Sequence, residues 1–205
     1  MAILSMIKEK MIFLEFVNPI RDKKQIDAIK KYLKGSNIRD YCIFVLGINS
    51  ALRVSDLVSL KVSDVLDDKH KVKDRILFRE KKTSKSKDFP ISANAKKAIS
   101  EYLLFRKTYT IQEPLFLSRK STKQKSALQR DQIYKIINRA ARSVGIKEKI
   151  GSHTLRKTFA YFAYNSGIDL SLIQKVLNHS APSITLNYIG ITQDQMDDVY
   201  LNLNL

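Results

Sequence analysis

Two arginines far apart in this sequence, Arg53 and Arg156, can each present paired N–H donors that match the oxygens of a phosphate. Tyr188 carries a phenol that becomes a nucleophile when a base takes its proton. His153 lies three residues before Arg156, so on a helix both side chains share one side. A lysine from the run Lys81, Lys82, Lys85 and Lys87 can protonate a leaving oxygen. Together these groups suit metal-free cleavage of a phosphodiester, with charge on the non-bridging oxygens met by guanidinium groups. A phosphotyrosine link would conserve the bond energy, so rejoining needs no ATP. Each residue also has a plainer reading. Arg53 can end a helix, and His153 with Arg156 can be a surface pair. His179 can be satisfied by backbone at a helix end, and the lysine run can be a solvated turn. Tyr188 is one of nine tyrosines, most of which serve packing.

The elements that must position these groups are readable from periodicity. Asp22 to Lys34 has helical spacing through Ile26, Ile29 and Leu33, with Asp22 as cap and Gly35 as end. A more buried helix follows over about Asn37 to Ser50, then a turn with Arg53 and a helix from Ser55, its cap, to Leu60. Asp74 to Glu80 reads as a strand, and Phe89 to Ile91 resumes an extended segment, giving a β-hairpin with a basic tip. Ser92 to Lys107 is helical, Ser118 to Ser126 is a Lys/Ser/Thr loop, and Asp131 to Val144 is a helix stopped by Gly145. His153 to Asn165, Asp169 to Asn178 and Pro182 to Tyr188 are three more helices, with Gly167 between the first two and Pro182 in a first turn. Thr192 to Leu201 has the pattern of a last amphipathic helix.

Composition narrows the partner. The 205 residues carry a net charge of +17, and such an excess favours polyanions through counterion release. Nucleic acid is the expected partner, although a lysine-rich composition alone can have other origins. The charge is uneven: Arg119, Lys120, Lys123 and Lys125 form a second basic cluster, and no Lys or Arg follows Lys175. Apolar residues at 44% support a packed core in one good-sized domain. The single cysteine, Cys42, excludes a disulfide framework and suits an intracellular, cytoplasmic, DNA-associated protein. Three histidines and one cysteine do not make a usual zinc site, so neither metal nor cofactor is expected. No stretch is apolar enough to span a membrane, and Lys8, Glu9, Lys10 and Glu15 interrupt any signal-peptide core.

Two segments carry a family resemblance: Gly47-Ile48-Asn49-Ser50-Ala51-Leu52-Arg53-Val54-Ser55-Asp56-Leu57, and His153-Thr154-Leu155-Arg156 through Leu177-Asn178-His179 to Tyr188. In this order and spacing the chain resembles the tyrosine recombinase (phage integrase) family over roughly residues 20 to 190. The resemblance implies a mainly α fold with a small antiparallel β-sheet (α+β), that of the family's catalytic domain. It implies a short N-terminal segment over 1–19, a catalytic domain over 20–190, and a tail over 191–205 that docks on a neighbouring subunit or packs on its own domain. It also implies a site-specific recombinase that cuts double-stranded DNA through a 3′-phosphotyrosine and passes through a Holliday junction, as a tetramer on DNA. By the same resemblance Tyr188 is the nucleophile, Arg53 and Arg156 bind the phosphate, His153 is the acid/base partner, and His179 donates to the phosphate. The family's hairpin lysine precedes a proline, and counting back eight residues from Pro90 reaches Lys82, with Lys85 as fallback. Asp56, where the family more often has Glu, would brace the arginines. Lys81, Lys85, Lys87, Lys157, Arg119, Lys120, Lys123 and Lys125 are the expected DNA contacts.

There are departures. Lys157 stands where the family often has His, and Asn178 replaces a common Gly. The N-terminal helical domain of most members has no counterpart in the few residues before position 20, which suits either a short member or a fragment. Other readings are a type IB topoisomerase, a DNA-binding protein that has lost activity, and a basic RNA-binding protein without a reactive tyrosine.

Overall fold

The computed structural model describes residues 17–80, 86–118, 125–190 and 200–202. Helix α1 (Lys23–Ser36) starts where the Asp22 carboxylate accepts the Lys24 N–H, and it buries Ile26, Ile29 and Leu33. It does not end at Gly35. Asn37 ends it, in extended conformation, donating its N–H to Leu33 while its side chain accepts the Asp40 N–H of the next helix. One polar residue thus closes α1 and opens α2 (Ile38–Ser50), so the two helices pack side by side with no loop between them.

Helix α2 buries Cys42 through Gly47 almost completely and packs against α1, α5 (Ala93–Arg106) and α7 (Thr154–Asn165). Its crossing with α7 is tight. A Cβ at Gly47 would fall 2.4 Å from Leu155 Cδ1, so only glycine admits this approach. Leu155 neighbours Arg156, so the crossing sets the depth of a candidate site residue.

Short helices α3 (Val54–Leu57) and α4 (Val62–Val65) follow. The residue opening α3 is Arg53, without a side-chain cap, rather than Ser55. The reason is packing: Val54 and Leu57 are buried, which pulls the first turn two residues upstream. The isolated helix α4 was not expected from periodicity, because four residues are too few to show a period.

Strands β1 (Arg75–Arg79) and β2 (Ser86–Pro90) form the small antiparallel sheet, in register from Arg75 opposite Pro90 to Arg79 opposite Ser86. Ile76, Phe78, Lys87 and Phe89 share the inward face, with Phe78 and Phe89 meeting edge to face. Ser92 caps α5 by accepting the Ala95 N–H. A bridge between Leu117 and Ala127 closes the neck of the basic loop. Helix α6 (Arg130–Ser143) is followed by Gly145 at φ +82°.

Helices α7, α8 (Leu170–Leu177) and α9 (Pro182–Ile189) pack on one another around a small apolar cluster of Ala51, Ala160, Ile173, Leu177 and Ile189, distinct from the main core. Buried threonines fasten the start of α7. Thr158 accepts the Ile20 N–H at 2.9 Å, and Thr154 donates to the Asn18 carbonyl at 2.9 Å. Residues 17–20 are thereby tied to the turn that holds His153, and Val17 is buried against Gly151.

Candidate active site

Arg156 sits on the first turn of α7 and is 2% exposed. Its guanidinium donates to the Ala51 carbonyl at 2.6 Å and to the Leu177 carbonyl. A guanidinium fork satisfied by two backbone oxygens can remain charged in a protein interior. Burial lowers its pKa, and its electrostatic neighbours are Tyr188, Arg53, Glu80 and Asp56.

The Ala51 carbonyl faces Arg156 because Ala51 caps α2 in the left-handed region, at φ 53°. An alanine there is strained, and its methyl is fully buried. Replacement by glycine relieves about 1–2 kcal/mol of strain but loses methyl burial and adds unfolded-chain entropy of similar size, so Ala51→Gly should melt close to the parent. Ala51→Val adds a β-branched side chain in a full cluster and should cost about 2–3 kcal/mol, read as a lower unfolding midpoint in denaturant.

Arg53 is held from the other side. Its Nη1 is 2.8 Å from Glu80 and 4.0 Å from Asp56. Asp56 is completely buried, in keeping with a bracing carboxylate, but the nearer partner is Glu80, only 3% exposed. From the sequence, Glu80 reads only as the end of a strand. Its signal was available: with Ile76 and Phe78 it continues the inward alternation of β1, where a carboxylate needs a cation. Asn178, left-handed at φ 51°, donates its side-chain amide to Glu80 at 3.1 Å. Asparagine tolerates this conformation, so replacing the family's usual glycine keeps the turn and links the corner before His179 to the hairpin.

Tyr188 lies on α9, half-buried, with its hydroxyl 3.3 Å from His153 Nδ1 and within the electrostatic reach of Arg156. Burial pushes the phenol up to about 12, against the pull of Arg156 and Arg53. His179 packs edge-on against Tyr188 with ring centroids 5.0 Å apart, and its Nδ1 is 3.0 Å from the Thr185 hydroxyl. Burial, then Arg156 and Arg53, lowers His179 to about 4. A neutral ring that accepts the Thr185 proton at Nδ1 carries its own proton on Nε2, the form that can donate to a phosphate oxygen. His153 is also lowered, first by desolvation where its ring meets neighbouring groups and then by Arg156, Arg130, Lys157 and Arg53, although its outer edge is exposed.

Because these histidines take up protons more readily when unfolded, stability should be complete above pH 6.5 and fall as pH drops from 6.5 toward 4. Thermal melts of His179→Gln across that window should fall less steeply than the parent's. Parallel slopes would mean that His179 titrates normally.

Lys157 is not placed as an exposed DNA contact. It is buried with its ammonium 5.1 Å from the Tyr188 ring centroid, because the first turn of α7 covers α9. Burial, then Arg21, lowers its pKa. Lys87 is likewise turned inward, within the electrostatic reach of Arg156, Glu80, Arg53 and Asp56. Lys125 pairs with Glu113 at 2.7 Å. Lys81, Lys82, Lys85, Arg119, Lys120 and Lys123 lie outside the described residues, as do Ile191, Gln195, Met196 and Val199 of the expected tail helix. Tyr200 and Leu201 are described and exposed. Among the described residues there is no group of His, Cys, Asp and Glu able to hold a metal, and no helix is long and apolar enough to cross a membrane.

The structure thus brings Arg53, Asp56, His153, Arg156, His179 and Tyr188 to the junction of α3, α7, α8 and α9, with Glu80 and Lys87 from the hairpin. Comparison with known proteins agrees with this architecture. The phage integrase family pattern matches residues 21–195. A Bacillus subtilis (strain 168) protein named "Probable integrase/recombinase YoeC" is 42% identical over 187 residues, covering 91% of this chain and 97% of that protein. Tyrosine recombinase XerC of Thermodesulfovibrio yellowstonii is 32% identical over 169 residues, covering 79% of this chain but 53% of its own length, so the chain spans about half of that relative. In three dimensions the crystal structure of XerA recombinase superposes with a TM-score of 0.72 at 23% identity, over 93% of this chain and 66% of XerA. XerH site-specific recombinase, in a post-cleavage complex with palindromic difH substrate, gives 0.69 at 21% identity, over 87% of this chain and 51% of XerH. The chain belongs to the phage integrase family and has the mainly helical fold, with a small antiparallel sheet, of a tyrosine recombinase catalytic domain.

Proposed function

We propose that this chain cleaves and rejoins double-stranded DNA at specific sites through a covalent bond to Tyr188. The observation that carries this reading is the meeting of the Tyr188 hydroxyl with His153 Nδ1 at 3.3 Å, within the electrostatic reach of the buried Arg156 guanidinium. In the cleavage step Tyr188 Oη attacks the scissile phosphorus and its proton passes to His153. The bond from phosphorus to the 5′ oxygen breaks, leaving a 3′-phosphotyrosine. The departing oxygen takes a proton from the hairpin lysine that the sequence assigns as Lys82 and leaves as a 5′-hydroxyl. Arg53 and Arg156 meet the charge on the non-bridging oxygens, and neutral His179 adds a hydrogen bond. Attack by a 5′-hydroxyl from a partner strand reverses the step, and two rounds give and resolve a Holliday junction. Four copies on paired sites supply the strands, with the tail of residues 191–205 as the docking element between neighbours. Lys81, Lys85, Lys120, Lys123, Lys125 and Arg119 make the salt-sensitive contacts to the flanking backbone.

The purified chain should form a covalent adduct on a suicide substrate nicked beside the cleavage site, and should exchange strands between two sites. Relaxation of supercoils without exchange would instead assign a type IB topoisomerase. Absence of any adduct on DNA bearing the chain's own site would leave a binding protein with this fold.

A further inference from the structure

The charged groups of the site do not balance. Arg53 is paired with Glu80 and lies near Asp56, and Arg156 is satisfied by two carbonyls. The Lys87 ammonium is buried beside them and, among the described residues, has no hydrogen-bond partner. Its stem runs along the inward face of β2, opposite Phe78, and its nitrogen lies 5.9 Å from the Phe89 ring centroid. A strand pair thus fixes it in place, one pair in from the Arg79–Ser86 end of the ladder that leads to the basic tip. Counting Arg53, Arg156 and Lys87 against Glu80 and Asp56 leaves one positive charge uncompensated. Burying an ammonium without an acceptor is costly, so such a group persists where an anion completes it in the working complex.

We propose that Lys87 binds a non-bridging oxygen of the scissile phosphate, as a third cation beside Arg53 and Arg156. The inference rests on the reading of the site given above and deepens it. Lys87 forms and breaks no covalent bond; it stabilises charge that grows on the phosphate in the transition state. Proton delivery to the leaving oxygen remains with the tip lysine. The ammonium, pushed down to about 8 by burial and then by Arg156, stays mostly charged at neutral pH, as this role requires.

The test uses the full chain with Lys87→Met and Lys87→Arg. Lys87→Met should slow adduct formation on the nicked substrate by about 100-fold, while Lys87→Arg should stay within about tenfold of the parent. Because Lys87→Met removes an unpartnered buried charge, its melting temperature should hold or rise. Inorganic phosphate should raise the melting temperature of the parent and of Tyr188→Phe more than that of Lys87→Met. The proposal is overturned if Lys87→Met cleaves within about threefold of the parent and responds equally to phosphate. It is also overturned if Lys87→Met melts well below the parent and Lys87→Arg rescues nothing, the signature of a purely structural residue. If the parent forms no adduct at all, the recombinase reading falls, and the phosphate response still decides the role of Lys87.

Discussion

Tyr188→Phe should eliminate the covalent DNA adduct, lowering the rate of strand cleavage by at least about 10⁴-fold. The substitution removes one oxygen and leaves the ring between His179 and Lys157, so the packing of α9 is retained. The lost hydrogen bond to His153 costs about 1 kcal/mol at most, because the phenol is also relieved of its burial penalty. DNA affinity in a gel-shift assay should be unchanged, which separates chemistry from binding. The adduct is read by denaturing gel on nicked substrate, with the attached residue identified by peptide mapping. An adduct formed by Tyr188→Phe at the parental rate would exclude this residue as the nucleophile. The raised phenol pKa makes a further point: at neutral pH the free hydroxyl is protonated, so a base must act during attack rather than before it.

The second large effect is expected at Arg156. Its guanidinium reaches two carbonyls from different elements, Ala51 after α2 and Leu177 at the end of α8, while its charge acts on the Tyr188 phenol. Lysine can keep the charge but cannot span those acceptors. Arg156→Lys should therefore lower the cleavage rate by about 10³-fold while the protein remains folded. Arg156→Ala leaves both carbonyls without their donor in a closed interior, and should lower stability by about 2–4 kcal/mol in addition to abolishing cleavage. Single-turnover trapping and urea melts measure the two effects separately. If Arg156→Lys cleaves within about tenfold of the parent, the fork geometry is not what the chemistry uses.

The helices were legible because their apolar faces repeat at 3.6 residues. Ile26, Ile29 and Leu33 mark α1, and Ile133 and Ile137 mark α6. The short helices α3 and α4 were less legible, since one turn offers no period and its ends are set by the surface it packs on. The candidate residues on α3, α7, α8 and α9 could be read from type and order along the chain. For Glu80 the alternation offered a signal but not its partner, and Lys87 reads from the sequence as a basic hairpin residue rather than as a buried neighbour of the arginines. Their meaning depends on which face of a two-residue alternation meets the arginines, and strand register decides that. Lys157 shows the converse: a basic residue in a basic chain reads as a DNA contact until the fold places it over a tyrosine ring.

By itself the sequence determined the order of the elements, because it follows from local periodicity, and it pointed to the family and to the arginines, histidines and tyrosine through a resemblance in the order and spacing of their motifs. Only the tertiary structure decided which carboxylate holds Arg53, which backbone oxygens hold Arg156, and which lysine is buried with no hydrogen-bond partner among the described residues. These are contacts between residues remote in sequence, and their distances are set by the packing of α2 against α7 and of β1 against α4, with the Asn178–Glu80 bond tying the hairpin to the corner after α8, not by any local preference of the chain.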